Sequence, residues 1–388
     1  MSQSQGLLRG TPWKAIVLFS VPLLIGNVVQ QLYQFVDAMV VGRHLGVLAL
    51  ASVGASMSLL FLITGFAWGM TSGFAIPVAQ AFGANGIKGL RRSVAAGAIL
   101  SGATSLLMTL VGTIFIRPLL QLMQTPPELI DDAATFGFWS FLFMFTLVFF
   151  NFLAATIRAV GDSRTPLVFL AIACLLNVAL VIVFVAVLDW GIAGAAFATA
   201  VSQLTSVLLC VTWVRWRIPV LHMSLDDWKV TMPELREHLN LGLPLGFQTS
   251  VIAIGTIAVQ VRLNDLGPNA VAAFTAAGRV DGIAVTFLAS LGLATSTFVA
   301  QNYGARQIDR VKHGVRQSLV VSIIVSIVIG LALFLLGAVF VELFIGNEQP
   351  VVLNLAHDAL KIYSVAYWIL GVLFVVRGAL QGLGHMKP

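Results

Sequence analysis

The chain has 388 residues, of which 59% are hydrophobic and 10% charged, with a mean hydropathy of +0.96. Soluble domains carry roughly 25% charged residues, so the composition excludes an ordinary soluble protein and points to an all-α, polytopic membrane bundle. In so apolar a chain the net charge of +6 reflects membrane topology and excludes a nucleic-acid partner.

Apolar stretches long enough to cross about 30 Å of hydrocarbon as helix run over 14–41, 47–77, 93–116, 134–157, 166–188, 191–214, 239–261, 269–300, 314–345 and 357–381. Ten spans are therefore expected. The leading segment Met1–Lys14 is short and polar, and the span after it is too long and too glutamine-rich for a cleaved leader, so it is expected to stay as an anchor. Alternate loops divide the basic residues unequally. Lys88, Arg91, Arg92, Arg306, Arg310 and Lys312 share the side of the N-terminus, while the other side holds only Arg43, Arg117, Arg262 and Lys361. The N-terminus is thus expected to be cytoplasmic. Cys174 and Cys210 fall within spans and read as small apolar residues.

The first span carries Asn27, Gln30, Gln31, Gln34 and Asp37, which at helical periodicity fall within an arc of roughly 120°. An acid near the bilayer centre costs about 2.5–3.5 kcal/mol on the lenient insertion scale, so this face is expected to line a wet cavity or another helix. Asp37 is the sharpest candidate: either a carboxylate that exchanges a proton or binds Na⁺, or an acid at a helix end close to Arg43 and water. Asn177 lies midway along the fifth span, and Thr199, Ser202, Gln203 and Ser206 form one face of the sixth. These groups complete a site around Asp37 or serve as packing residues.

Residues 215–238 form the longest polar stretch and are expected to be a linker, in which Ser224, with the acid at Asp227, either caps a short surface helix or belongs to an irregular loop. Beyond it, Thr249, Thr256 and Gln260 give the seventh span a polar face without an acid. Arg279 and Asp281 share the eighth span two residues apart, on different faces, and are expected either to serve substrate binding or gating or to pair with other helices.

The chain repeats itself. Val78-Ala79-Gln80-Ala81-Phe82-Gly83-Ala84 returns as Val299-Ala300-Gln301-Asn302-Tyr303-Gly304-Ala305; Pro22 pairs with Pro244, Leu45-Gly46 with Leu266-Gly267, and the Gly161 turn with the Gly384 turn. The first copy has six spans, an even number, so the copies are parallel repeats about an axis along the membrane normal. An N-terminal lobe is expected over 1–214, a cytoplasmic linker over 215–238 and a C-terminal lobe over 239–388. Four spans of the second lobe are present, and two more are expected beyond them, without which transport by this chain is expected to be poor. No nucleophile–base pair, metal-ligand spacing or phosphate loop is present, so neither an enzyme nor direct use of ATP is expected.

Gln30-Gln31-Leu32-Tyr33-Gln34-Phe35-Val36-Asp37, Leu48-Ala49-Leu50-Ala51-Ser52-Val53-Gly54, the two Gln-x-x-Gly-Ala segments and the Gly161–Pro166 loop together resemble the multidrug and toxic compound extrusion (MATE) family. That resemblance implies twelve helices in two lobes around a central cavity, no cofactor, and export of drugs or organic cations in exchange for H⁺ or Na⁺ by a monomer in the prokaryotic inner (plasma) membrane. It places the cation-coupling site at Asp37, Asn177 and Thr199. Asn27, Gln30, Gln34, Thr249, Thr256, Gln260, Arg279 and Asp281 are then expected in the substrate cavity. Many members carry a second acid four residues after the position of Asn177, where this chain has Val181. Coupling is thereby expected to rest on Asp37 alone, favouring a proton. The competing readings are a flippase for lipid-linked or polysaccharide precursors, which needs a more cationic cavity, and a channel or non-transporting membrane sensor.

Overall fold

The computed structural model describes residues 7–345 and 350–385. The long helices in that part of the chain are α1 (Pro12–Gly46), α2 (Leu48–Gly83), α3 (Ile87–Leu122), α4 (Pro127–Leu142), α5 (Met144–Ala159), α6 (Arg164–Val181) and α7 (Gly191–Arg217). They continue as α8 (Met232–Asp265), α9 (Pro268–Gly304), α10 (Ile308–Ile345) and α11 (Pro350–Gly382). No strand occurs among the described residues, as a chain that must satisfy its backbone within lipid requires. Among the described residues, eight helices are long and apolar enough to cross a membrane, and up to nine spans result if α4 and α5 count as one.

Two of the expected spans differ in detail. The stretch 134–157 is not one straight helix: α4 and α5 meet at 46°, where Phe143 leaves helical geometry and its carbonyl accepts both the amide (3.0 Å) and the hydroxyl (2.8 Å) of Thr146. The stretch 239–261 lies within the longer helix α8, which begins at Met232 and carries Pro244 inside it.

The repeat is written in the backbone. Gly46 (φ 88°, ψ 178°) separates α1 from α2, and its counterpart Gly267 (φ 89°, ψ 175°) separates α8 from α9; a side chain would strain this conformation, so both copies keep glycine there. The left-handed positions after the glutamine motifs, Asn85 and Arg306, and those at Gly161 and Gly384 are matched in the same way. The last landmark continues into Met386-Lys387-Pro388, outside the described residues.

Two compact units form. One comprises the chain up to Leu24 together with Val251–His385, and the other Ile25–Ser250. In the first, α11 lies against α9 and α10, and its glycines set the spacing: an added methyl at Gly378 would meet the carbonyl oxygen of Gly292, one at Gly382 the carbonyl of Ser296, and one at Gly371 the hydroxyls of Ser322 and Ser326. Such close approach supplies the dispersion contacts that hold helices together where lipid offers no hydrophobic drive. The segment before α1 is held in this unit by Arg310, whose guanidinium donates to the carbonyls of Leu7 (3.2 Å), Arg9 (2.8 Å) and Gly10 (2.7 Å), and by Asn302, whose amide donates to Leu7 (3.0 Å).

In the second unit a core of Ile116, Leu120, Phe136, Phe141, Met144, Val148 and Val181 joins α3 to α6. Gly69 and Gly73 of α2 meet Leu241, Gly242 and Leu245 of α8 backbone to backbone. The linker is ordered: Ser224 and Asp227 form the expected capping box at a 3₁₀ turn, Leu225–Trp228. Arg91 donates to the carbonyls of Pro219 and Val220, and Arg92 to that of Lys229 and to Glu234 at 2.8 Å.

Two outcomes test this account. Gly378→Ala should cost about 1–3 kcal/mol by overpacking, whereas Gly278→Ala in α9, where a methyl meets nothing within 4 Å, should be neutral or stabilising by up to ~1 kcal/mol. Equal shifts of the two in thermal unfolding in detergent would remove the packing explanation. The backbone and hydroxyl hydrogen bonds from Ser224 hold the Asp227 carboxyl below its ordinary range. Because the folded value is the lower one, the cap contributes fully above about pH 4 and is lost as pH falls through the depressed value. Hydrogen exchange at 224–228, corrected for intrinsic rates, should lose protection only in that acid window; in Asp227→Ala it should be lost at neutral pH as well, and full protection in that variant would contradict the cap.

Candidate functional site

Helical periodicity puts Tyr33 one turn before Asp37 on the same side of α1. Tyr33 donates its phenol hydrogen to the Thr199 hydroxyl at 3.0 Å, and the Asn177 amide donates to the same oxygen at 3.3 Å. Thr199 in turn donates to the Ala195 carbonyl at 3.1 Å. Three helices, α1, α6 and α7, thus meet at one hydroxyl. Asn177 is buried, and Asp37 is only 8% exposed. Oδ1 of each is buried without a hydrogen-bond partner among the described residues. Two orphaned acceptor oxygens beside a fixed donor network suit a proton or a small cation, since a buried ionised carboxylate without a partner is costly.

A cavity of about 40 Å³ adjoins the network, with Gln30, Tyr33, Asn151, Ser202, Gln203 and Ser206 supplying its polar lining. A single water needs about 10–15 Å³ of such volume and two or more polar partners, so this space admits water to within one helical turn of Asp37.

The other expected residues are distributed as follows. Asn27 is half-buried, while Gln34 is exposed. Thr249 donates to the Leu245 carbonyl (3.2 Å) and Thr256 to that of Ile252 (3.1 Å), each within its own helix. The side chain of Gln260 lies outside the described residues. In the unit containing α9, Asp281 accepts a 2.6 Å hydrogen bond from the phenol of Tyr367 on α11. Its partner is therefore a neutral donor, not the cation expected for a structural ion pair. Arg279 is exposed and makes no ion pair among the described residues.

Tyr33 and Tyr367 were not among the expected site residues. Tyr33 sits beside Asp37 on the helical projection but reads as aromatic rather than polar. Nothing in the sequence near Tyr367 signals an acid on another helix.

The sequence profile of the MatE family matches residues 22–183 and again 244–388, starting both times at a proline of the internal repeat. The chain belongs to the MatE family. It is accordingly a multi-pass membrane efflux transporter, not an enzyme. The probable multidrug resistance protein YpnP of Bacillus subtilis is 31% identical over 381 residues, covering 97% of this chain and 84% of that protein. The probable multidrug resistance protein YoeA of the same organism is 30% identical, covering 96% and 81%. A multidrug resistance MATE transporter of the MOP superfamily, solved in its outward-facing conformation, superposes with a TM-score of 0.90 at 25% identity, covering 99% of this chain and 85% of its own.

Tyr33→Phe should cost about 0.5–1.5 kcal/mol through the lost hydrogen bond to Thr199. Unfolding midpoints of this variant and of Asn177→Ala and Thr199→Val check the network: removal of Tyr33 and Thr199 partners together should be less than additive, and full additivity would mean that the three side chains act independently.

Proposed function

We propose that this transporter exports drugs or organic cations in exchange for protons, with Asp37 as the coupling carboxylate and Asn177 and Thr199 as its supporting groups. The observation that carries the reading is the Asp37 carboxylate: it is buried within a membrane helix, has an oxygen with no hydrogen-bond partner, and lies one turn from the Tyr33–Thr199–Asn177 network. Val181 stands where a second acid would strengthen a bound Na⁺, and one isolated carboxylate is better matched to a proton than to a metal ion that requires several oxygen ligands. The names of the Bacillus relatives support drugs as the substrate class.

In the cycle we infer, two lobes, 1–214 and 239–388 joined by the linker 215–238, alternate in access. Asp37 is protonated from outside, the rearranged cavity releases its drug, and loss of the proton inside restores the first state. Polar groups on α1 and α8 (Asn27, Gln30, Gln34, Thr249, Thr256 and Gln260) and the charged pair Arg279 and Asp281 would contribute to substrate binding. The protein would work as a monomer in the inner (plasma) membrane with its N-terminus in the cytoplasm, the side favoured by its basic loops.

The test is drug-induced dissipation of a preset pH gradient in everted vesicles, with and without Na⁺. Dissipation should be independent of Na⁺ and fall to background in Asp37→Asn, while Asn177→Ala and Thr199→Val should reduce it partially. Undiminished proton movement in Asp37→Asn would make Asp37 structural, and a requirement for Na⁺ would replace the proton as the coupling ion.

A further inference from the structure

The end of α7 and the linker after it present large apolar side chains outward. Trp216 is 77% exposed, Leu225 89% and Met232 74%. This is not a loose loop. The linker backbone is fixed to the start of α3 by Arg91 and Arg92, and its 3₁₀ turn is closed by the Ser224–Asp227 box. In a 3₁₀ turn residues three apart eclipse, so Leu225 and Trp228 share one side of it, opposite the buried Asp227. A rigid segment that holds leucine, tryptophan and methionine away from the protein requires something apolar to receive them.

The charges say what that is. Three acids of the linker are already engaged: Asp226 with Lys229 at 2.7 Å, Asp227 with Ser224, and Glu234 with Arg92 and Thr231. Arg215 and Arg217, which flank Trp216 in the last turn of α7, are exposed and have no ion pair among the described residues. Exposed apolar side chains beside arginines that make no ion pair among the described residues, one of them, Arg217, lying over the Trp213 ring, at the end of a helix long and apolar enough to cross a membrane, match the zone where acyl chains give way to anionic headgroups.

We propose that residues 215–232 form an anionic-lipid site: Leu225, Trp228 and Met232 enter the headgroup–acyl boundary, and Arg215 and Arg217 bind the phosphates of acidic phospholipids. The inter-copy linker is then held by α3 on one side and by the bilayer on the other.

The experiment uses the full chain in nanodiscs of phosphatidylcholine, with or without phosphatidylglycerol. A spin label at Leu225→Cys, in a background with Cys174 and Cys210 replaced by alanine, should be more accessible to oxygen than to a water-soluble nickel chelate, and more so when phosphatidylglycerol is present. Lipid co-purified from mixed membranes should be enriched in phosphatidylglycerol on the order of tenfold, and Arg215→Gln with Arg217→Gln should abolish most of that enrichment. Leu225→Ser with Met232→Ser, both at exposed positions, should weaken lipid retention without shifting the unfolding midpoint. A label at 225 as accessible to the nickel chelate as one in water, or enrichment unchanged in the arginine variant, would overturn the proposal; so would loss of enrichment on adding inorganic phosphate at physiological concentration, which would point to a soluble anion instead.

Discussion

Helices in lipid gain nothing from hiding apolar surface from one another, so what holds them together is how closely their backbones approach. This constraint runs through the whole chain. Gly378 against the Gly292 carbonyl, Gly382 against that of Ser296, and Gly69 and Gly73 against the backbone of α8 are positions where even a methyl group would force displacement. The same closeness gives α11 its place beside Asp281: with the glycines seated on α9, Tyr367 on the same helix reaches the carboxylate at 2.6 Å. Packing by small residues and the siting of polar groups are therefore one problem, solved helix by helix.

Polar side chains within the spans divide into two kinds. Most hydroxyls, such as Thr249, Thr256 and Thr71, donate to the carbonyl four residues back and are quiet. A few reach across helices instead. Thr199 does both, donating to its own helix while accepting from Tyr33 and Asn177. Because its hydrogen is committed, its oxygen can only accept from those two neighbours. The network thereby fixes the ring of Tyr33 one turn from Asp37, while Oδ1 of that carboxylate has no hydrogen-bond partner among the described residues.

Much of the architecture was legible in the sequence because glycines and turn residues have one backbone use. Gly46 and Gly267, paired from sequence alone, have φ values a degree apart. The linker cap was legible for the same reason, since Ser224 and Asp227 act within one turn. What stayed hidden was contact between residues far apart in sequence. Asp281 and Arg279 invited a search for charge partners, yet a phenol takes the acid and the base makes no ion pair among the described residues. The bend between α4 and α5 was hidden too, because 134–157 carries no charge and no proline; it arises where Thr146 captures the Phe143 carbonyl.

The repeat also explains the basic residues that follow each glutamine motif. Arg310, after Gln301, gathers three carbonyls of the irregular segment leading into α1. Arg91 and Arg92, after Gln80, gather three carbonyls of the irregular linker that leads into α8. A segment without helical hydrogen bonds leaves its carbonyls in need of donors, and a guanidinium, with five N–H groups and no acceptor, supplies several from one side chain. Lysine in these positions would keep the charge and lose the forked geometry. Each copy thus uses arginine to fix the lead segment of a first helix, so these side chains set where its two polar-faced helices begin.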